Sequence, residues 1–521
     1  MTASFMKKLL LALPLAAIGI WLAWQFGAAL NSSHASLTIA AQRLLAGGTI
    51  TGDFNEPNPP LSFLMYVLPV LMTKYLFVPA YYAPYVFGLL CLAASVLAII
   101  KILKYWPRPD DDAKTVFVFA FIIANTLLTS SVYFYFGERD HIVIMALYPF
   151  LLVQLALTWR YELPKALTWG VLIPCAAAIL IKPQYGLLPV MALVHRMAAQ
   201  KRFFSIIRDA DFIALAGAVI VYGAVIVFLF PDYLSSSLPE YMLFYATARN
   251  PQTPFVWLLY TALLICVAGF GMIWGVPREK MKLALVCHFA AFVCLLLFLL
   301  QMKGFYYHLI PAFVFLLTGI GLQAHEIFGR YLGRKWFTAP AAVAVILIAA
   351  GALRSEGTTS LRHADYARTP LARLVKDCAP GCSYLVFGED LEKTSQIQIY
   401  TGATYASRFP VLWWLTGMVA GLDANPGDPA LLKLKATYAR YVALDIQRYR
   451  PAVMAFASNL TISGHKNFDL VSFFSVDPLF RQELKKYKRV APLQDNRKNY
   501  FRQPVPEDDV PLVYDVYRRK N

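Results

Sequence analysis

Apolar runs of roughly 16 to 23 residues recur along this chain, each about long enough to cross the hydrocarbon core of a bilayer. A single run of that kind is as readily the buried helix of a soluble protein. About eleven in succession are not, because a soluble domain has too little interior to hold them. Composition agrees: 58% of the 521 residues are hydrophobic and only 15% are charged, too few to cover a soluble surface of this size. The expected fold class is an α-helical polytopic membrane protein with about 11 transmembrane helices.

The formal net charge of +17 raises the question of nucleic acid. Its distribution answers it, because Lys and Arg gather in alternate loops between the apolar runs, the pattern of membrane topology. No basic groove or aromatic-basic module accompanies them, so nucleic acid is excluded as a partner. Lys7 and Lys8 precede the first span, Leu9 to about Leu30, which places the N-terminus in the cytoplasm and reads as a retained anchor. Leu61 to Phe77, with Pro69 and Lys74, is expected to be interfacial or half-inserted. A full span there would put Lys101, Lys104, Arg108 and Lys114 outside, against the positive-inside rule. The next true span is about Tyr82 to Leu103. Others follow near 115–135, 141–158, 166–182, 185–198, 211–231, 254–275, 283–301, 308–324 and 338–353. Every basic loop, among them Arg160 with Lys165 and Arg196 with Arg208, then falls on one side.

Two domains are expected. Residues 1–353 form the transmembrane part, whose first outer loop, 31–80, carries juxtamembrane helices. Residues 354–521 form a small α/β domain on the outer, periplasmic side. Its predicted elements include strands from Ser383 to Phe387 and from Leu512 to Tyr517, and one amphipathic helix near Asp469 to Tyr487. Cys91, Cys175, Cys266, Cys287 and Cys294 lie in apolar runs and read as packing residues. Cys378 and Cys382 bracket a short polar turn, which allows either a local disulfide in an oxidising compartment or a free pair. Trp413-Trp414 fits core packing or docking at the membrane interface.

Ionisable residues where spans end are the informative exceptions, since burying them is costly unless they are paired or functional. The first outer loop holds Asp53 and Glu56. The second holds Glu138-Arg139-Asp140-His141 against an apolar span. A turn gives Lys182-Pro183-Gln184-Tyr185, and a later loop gives Lys303-Gly304-Phe305-Tyr306-Tyr307-His308. The expected topology puts all four on the same face. Carboxylates there can act as general bases or hold a divalent metal. Arg and Lys can grip a phosphate.

A resemblance emerges from these loops. Ala40-Ala41-Gln42-Arg43-Leu44-Leu45-Ala46-Gly47-Gly48, followed by Asp53-Phe54-Asn55-Glu56-Pro57-Asn58-Pro59-Pro60-Leu61, resembles the first outer loop of bacterial GT-C-type membrane glycosyltransferases (the PMT/ArnT-like superfamily). Gly137-Glu138-Arg139-Asp140-His141, Lys182-Pro183, and Lys303-Gly304 with His308 are similar to motifs of one branch. The resemblance covers residues 5 to 353 or so and implies transfer of a sugar from a polyprenyl-phosphate carrier to a glycan, lipid or protein acceptor outside the cytoplasmic (inner) membrane. It implies an inverting displacement in which a carboxylate deprotonates the acceptor and cations stabilise the phosphate leaving group. By position, Asp53, Glu56 and Asp140 are the candidates for the base, Asp53 and Asp140 also for ligands of a divalent metal (Mg or Mn), with Glu138 and His141 beside them. Arg139, Lys182, Lys303 and His308 are the candidates for the donor phosphate. Relatives usually carry an acid early in the first juxtamembrane helix, where this chain has Asn31-Ser32-Ser33-His34-Ala35-Ser36. Either His34 substitutes, or the base lies in the other loops, or the reaction is lost or changed. Two other classes fit the composition: a transporter or flippase of lipid or lipid-linked glycan, and a non-catalytic member of an envelope glycan assembly.

Overall fold

The computed structural model describes residues 16, 18–24, 26–106, 111–127, 135–202, 205–245, 250–273, 278–328, 361–388, 394–495 and 511–520. Lys7 and Lys8, much of the first span, the loop with Arg330, Arg334 and Lys335, and the span expected at 338–353 lie outside the described residues. The chain divides into two compact units. One comprises Met1–Phe26, Tyr85–Val225 and Arg249–Glu356; the other comprises Gly27–Pro84, Ile226–Ala248 and Gly357–Asn521. The first outer loop therefore belongs with the C-terminal residues rather than with the helices around it in sequence.

In the first unit the apolar runs are helices. Five segments among the described residues are long and apolar enough to cross a membrane: Ala83–Lys104, Arg139–Thr158, Ala210–Leu229, Leu283–Gln301 and Tyr307–Ile327. Other helices, Asp111–Leu127, Lys165–Ile181, Leu187–Gln200 and Thr253–Ile273, stand between them in sequence. The protein is a multi-pass membrane protein. Burial separates the roles of these helices. Arg139–Thr158 has 89% of its apolar window inside the protein, whereas Ala210–Leu229, apolar on every face, has 6%. The first is the centre of the bundle; the second faces lipid, which demands no polar stripe.

The central helix is fixed by its neighbours. Tyr148 stacks on Phe315 at 4.7 Å between ring centroids and meets Phe121 at 4.8 Å. Ser95 Oγ donates to the Met145 carbonyl at 2.7 Å. Near the C-terminal end of this helix, Gln154 donates to Asp211 at 2.7 Å, and Arg196 donates to Asp211 at 2.9 Å and to Asp209 at 3.0 Å. These carboxylates pair with a guanidinium that would otherwise be buried alone.

The second unit carries the helix Ser32–Leu45, which starts at Ser32 because Asn31 caps it, accepting from the Ser33 N–H at 2.8 Å. It stops at Gly47, whose φ of +85° suits glycine. The stretch from Leu61 to Phe77 is helical but broken, into Leu61–Leu64 and Val67–Tyr75, both packed on Ser32–Leu45. Neither piece is long enough to span a bilayer.

The C-terminal residues of this unit form a mixed sheet in the order β2-β1-β3-β8-β6, with β7 also on β8. The strands are β1 (Ser383–Phe387), β2 (Thr404–Tyr405), β3 (Val453–Ala457), β6 (Tyr487–Arg489), β7 (Leu493–Asp495) and β8 (Leu512–Arg519); β4 (Leu460–Ile462) and β5 (His465–Phe468) make a separate hairpin. β1 runs parallel to β3 with Leu385 opposite Met454, and β8 runs antiparallel to β3 with Val516 opposite Ala455. Both predicted strands are present. The helix expected from Asp469 to Tyr487 is instead two short ones, Leu470–Phe474 and Pro478–Leu484, followed by β6. The cause is Asp477-Pro478: Pro478 supplies no N–H to continue a helix, and Asp477 caps a new one by accepting from Phe480 N–H at 3.0 Å. The long helix of this region is Pro429–Tyr449, capped by Asp428. Trp414 is fully buried against Tyr438, at 4.2 Å between centroids, so it packs in the core. Cys378 and Cys382 form a disulfide across 5.5 Å between Cα atoms.

Candidate active site

In the first unit, three polar segments that the sequence separates by scores of residues meet at one carboxylate. Asp140 lies in the first turn of Arg139–Thr158, only 1% exposed. Lys182, which ends Lys165–Ile181, places its Nζ 3.1 Å from Asp140 Oδ2. The Tyr185 hydroxyl donates to Asp140 Oδ1 at 2.7 Å. His308, in the turn Tyr306–Leu309 that leads into Ile310–Phe328, places Nδ1 3.1 Å from the same oxygen. All four side chains are buried. Since an ionised carboxylate only accepts, each of these contacts is donated to it, and the His308 proton is on Nδ1.

The shapes of the three segments follow from local sequence. Pro183 cannot continue the preceding helix, so the chain turns at Lys182 and re-enters a helix at Leu187. That turn brings Tyr185 back beneath Asp140. Gly304 takes φ +70° and lets the backbone pass Asn250 closely, turning the loop that carries Lys303 toward Tyr307 and His308. Lys303 sits half-buried at the head of this loop. The Tyr307 ring lies 5.7 Å from Lys182 Nζ, a second contact for the ammonium.

Glu138 and Arg139 flank Asp140 and are buried, at 2% and 8% exposed. His141 does not face the carboxylates. Its Nδ1 accepts from the Gly137 N–H at 3.0 Å, so its proton is on Nε2, which donates to Asn125 Oδ1 at 3.1 Å. His141 is thus a brace for the turn at Gly137. Asn125 and Tyr185 were not among the residues selected from sequence. An amide inside an apolar span is a signal for Asn125; Tyr185 looked like an ordinary interface aromatic.

The first-loop candidates occupy the second unit, each in a different setting. His34 is fully buried, with Nδ1 2.8 Å from the Tyr66 hydroxyl. No open face is left for it to serve as the substitute base. Asp53 caps its own turn, accepting from the Thr49 N–H at 2.8 Å, and pairs with Arg448 at 2.5 Å. Burial pushes its carboxyl up, but the Thr49 N–H and the Arg448 guanidinium outweigh this and hold it below the ordinary carboxylate range. The pair ties the first loop to Pro429–Tyr449. Glu56 is buried, with Oε1 accepting from the Asn58 N–H at 3.1 Å and from the Asn58 side-chain amide. It borders a narrow crevice with Ser36, Arg43, Tyr405, Ser407 and Arg408. Arg408 in turn pairs with buried Asp445 at 2.9 Å.

The donor sets do not fit the expected metal. Asp53 and Asp140, the predicted ligands, belong to separate units. Each is already surrounded by N–H, O–H and cationic groups, which oppose a divalent cation. Among the described residues no three His, Cys, Asp or Glu side chains converge as a metal site.

No protein-family model matches the chain, and no curated protein matches it by sequence. Its fold, however, is similar to solved structures. The crystal structure of ArnT from Cupriavidus metallidurans in the apo state aligns over 98% of both chains, with 13% identity and a TM-score of 0.55. The structure of the same enzyme bound to undecaprenyl phosphate aligns over 98% of both chains, with 12% identity and a TM-score of 0.52. Identity this low speaks for the fold and not for residue roles. The chain has the GT-C-type, ArnT-like fold of membrane glycosyltransferases.

Proposed function

We propose that the protein is a GT-C-type glycosyltransferase that moves a sugar from a polyprenyl-phosphate carrier to an acceptor on the periplasmic face of a bacterial inner membrane. The observation that carries this is a buried ammonium, Lys182, held at the ends of apolar helices by a carboxylate and flanked by Arg139. A lipid phosphate is an anion that can replace that carboxylate as the partner of Lys182, and it arrives from the bilayer. ArnT of the same fold binds undecaprenyl phosphate, which supports a polyprenyl-linked lipid as partner. The disulfide Cys378–Cys382 supports an oxidising compartment for the C-terminal residues.

The reaction we infer is an inverting displacement. The acceptor hydroxyl attacks the anomeric carbon, and the bond from that carbon to the phosphate oxygen breaks with its electron pair. Charge therefore grows on the departing phosphate. Lys182 and Arg139 are placed to neutralise it in a setting from which water is largely excluded, where a fixed cation is worth more than in solvent. His308 carries its Nδ1 proton toward the same centre, and Tyr307 covers the ammonium from the side.

The test is transfer by the purified full-length chain in proteoliposomes, with undecaprenyl phosphate linked to radiolabelled sugars as donor and envelope lipid and glycan extracts as acceptor. Wild-type protein is expected to label an acceptor. Lys182→Ala is expected to lose about 10²- to 10³-fold in rate, the cost of removing one charge-stabilising group. An inactive wild type that moves unmodified lipid-linked sugar across the bilayer would instead establish a flippase.

A further inference from the structure

Among the described residues the hydrogen bonds of the cluster leave two buried carboxylate oxygens over, Asp140 Oδ2 and Glu138 Oε1, and the Lys182 ammonium lies 3.1 Å from the first of them. Asp140 thus has a group at each oxygen, Lys182 at one and Tyr185 and His308 at the other. Glu138, two residues earlier, is buried to 2% exposed, and its Oε1 has no hydrogen-bond partner. Leaving a buried acceptor unmade costs about 1–3 kcal/mol or more. A cost of that kind in a built cluster calls for an explanation, and catalysis is one of the few available.

The backbone presenting Glu138 is held rigidly. Gly137 takes φ +77°, and its N–H is pinned by His141, itself fixed on Asn125. Behind it, Gly88 packs so closely that a Cβ there would lie 3.0 Å from the Gly137 Cα. The carboxylate therefore cannot swing away to find a partner by a backbone shift. It feels the Lys182 ammonium across the cluster, with Arg139, Asp140 and His308 completing the charged groups there.

We propose that Glu138 accepts the proton of the transfer, and that Asp140 is a positioning residue which holds Lys182, Tyr185 and His308. This rests on the glycosyltransferase reading above. The acceptor O–H donates its hydrogen bond to Glu138 Oε1. As the acceptor oxygen bonds to the anomeric carbon, its proton passes to the carboxylate. The electron pair of the breaking bond leaves on the phosphate, beside Lys182 and Arg139. The neutral Glu138 acid then returns its proton to water. Asp140 is the poorer base because protonating it disrupts three contacts at once.

The experiment uses the full-length chain in proteoliposomes with undecaprenyl phosphate-linked radiolabelled sugar, and measures undecaprenyl phosphate binding in parallel. E138Q is expected to lower kcat by about 10²- to 10⁴-fold, with phosphate-lipid affinity unchanged and the acid limb of the pH-rate profile gone. Transfer by E138Q near the wild-type rate overturns the proposal, as does loss of lipid binding together with transfer. Should Gln at this position prevent folding, E138D decides. Reduced transfer with a displaced acid limb supports the role, and an unchanged rate and profile overturn it. A wild type that binds undecaprenyl phosphate yet transfers nothing removes the glycosyltransferase reading, and the role of Glu138 falls with it.

Discussion

Asp140 and Glu138 stand two residues apart in one turn, and their surroundings give them opposite duties. Asp140 meets Lys182, Tyr185 and His308, so its energetic role is to offset the burial of Lys182. Removing one partner of such a pair costs about 3–5 kcal/mol, because the other charge is left alone in a poor solvent. Asp140→Asn is therefore expected to abolish transfer and to lower the melting temperature of the detergent-solubilised protein. Lys182→Met in the same background should recover part of the stability but none of the activity. Recovery of neither would mean that Asp140 does not act through Lys182. The same reasoning reassigns Asp53, which is close to the most acid-rich part of the first loop yet is consumed by Thr49 and Arg448.

At the scale of elements, the turn before Arg139–Thr158 is the part most exposed to change. It has room for no side chain at Gly88, where a Cβ would also come within 3.1 Å of the Phe136 ring. Gly88→Ala pushes against backbone at Gly137 and not against the free end of a flexible side chain. Overpacking of this kind costs about 1–3 kcal/mol, and here the displaced atoms carry Glu138. The expected result is transfer lowered by at least about tenfold, the equivalent of roughly 1.4 kcal/mol, with undecaprenyl phosphate binding retained. Equal loss from Gly170→Ala, which meets open space, would show that the effect is not specific to this contact. Prolines set the other element boundaries: Pro183 makes the turn that delivers Tyr185, and Pro478 divides the helix that periodicity alone had joined.

For the whole molecule, orientation is the property most open to a direct check. From the alternation of basic loops we propose that the C-terminus lies outside the cytoplasm; alkaline phosphatase fused after Asn521 is then expected to be active in cells, and a fluorescent protein that folds only in the cytoplasm is expected to be dark there. The reverse pattern would invert the proposed location of the site. What the sequence determined by itself was the multi-pass helical class, the positions of most described helices of the first unit to within a few residues, and two strands of the C-terminal sheet. Those features depend on local apolar length and on alternation, which a linear reading captures. It also singled out Glu138, Arg139, Asp140, Lys182 and His308, because charge at the end of an apolar run is conspicuous wherever it folds. Only the tertiary structure showed what surrounds each of them. Whether a carboxylate is a base or an anchor depends on how many donors reach it, and those donors come from residues 42 to 168 positions away. Tertiary structure also placed the first loop with the C-terminal residues, through contacts such as Arg43 to Ser407 and Arg448 to Asp53. Long-range pairing of this kind leaves no period in the sequence, so no local pattern could have announced it.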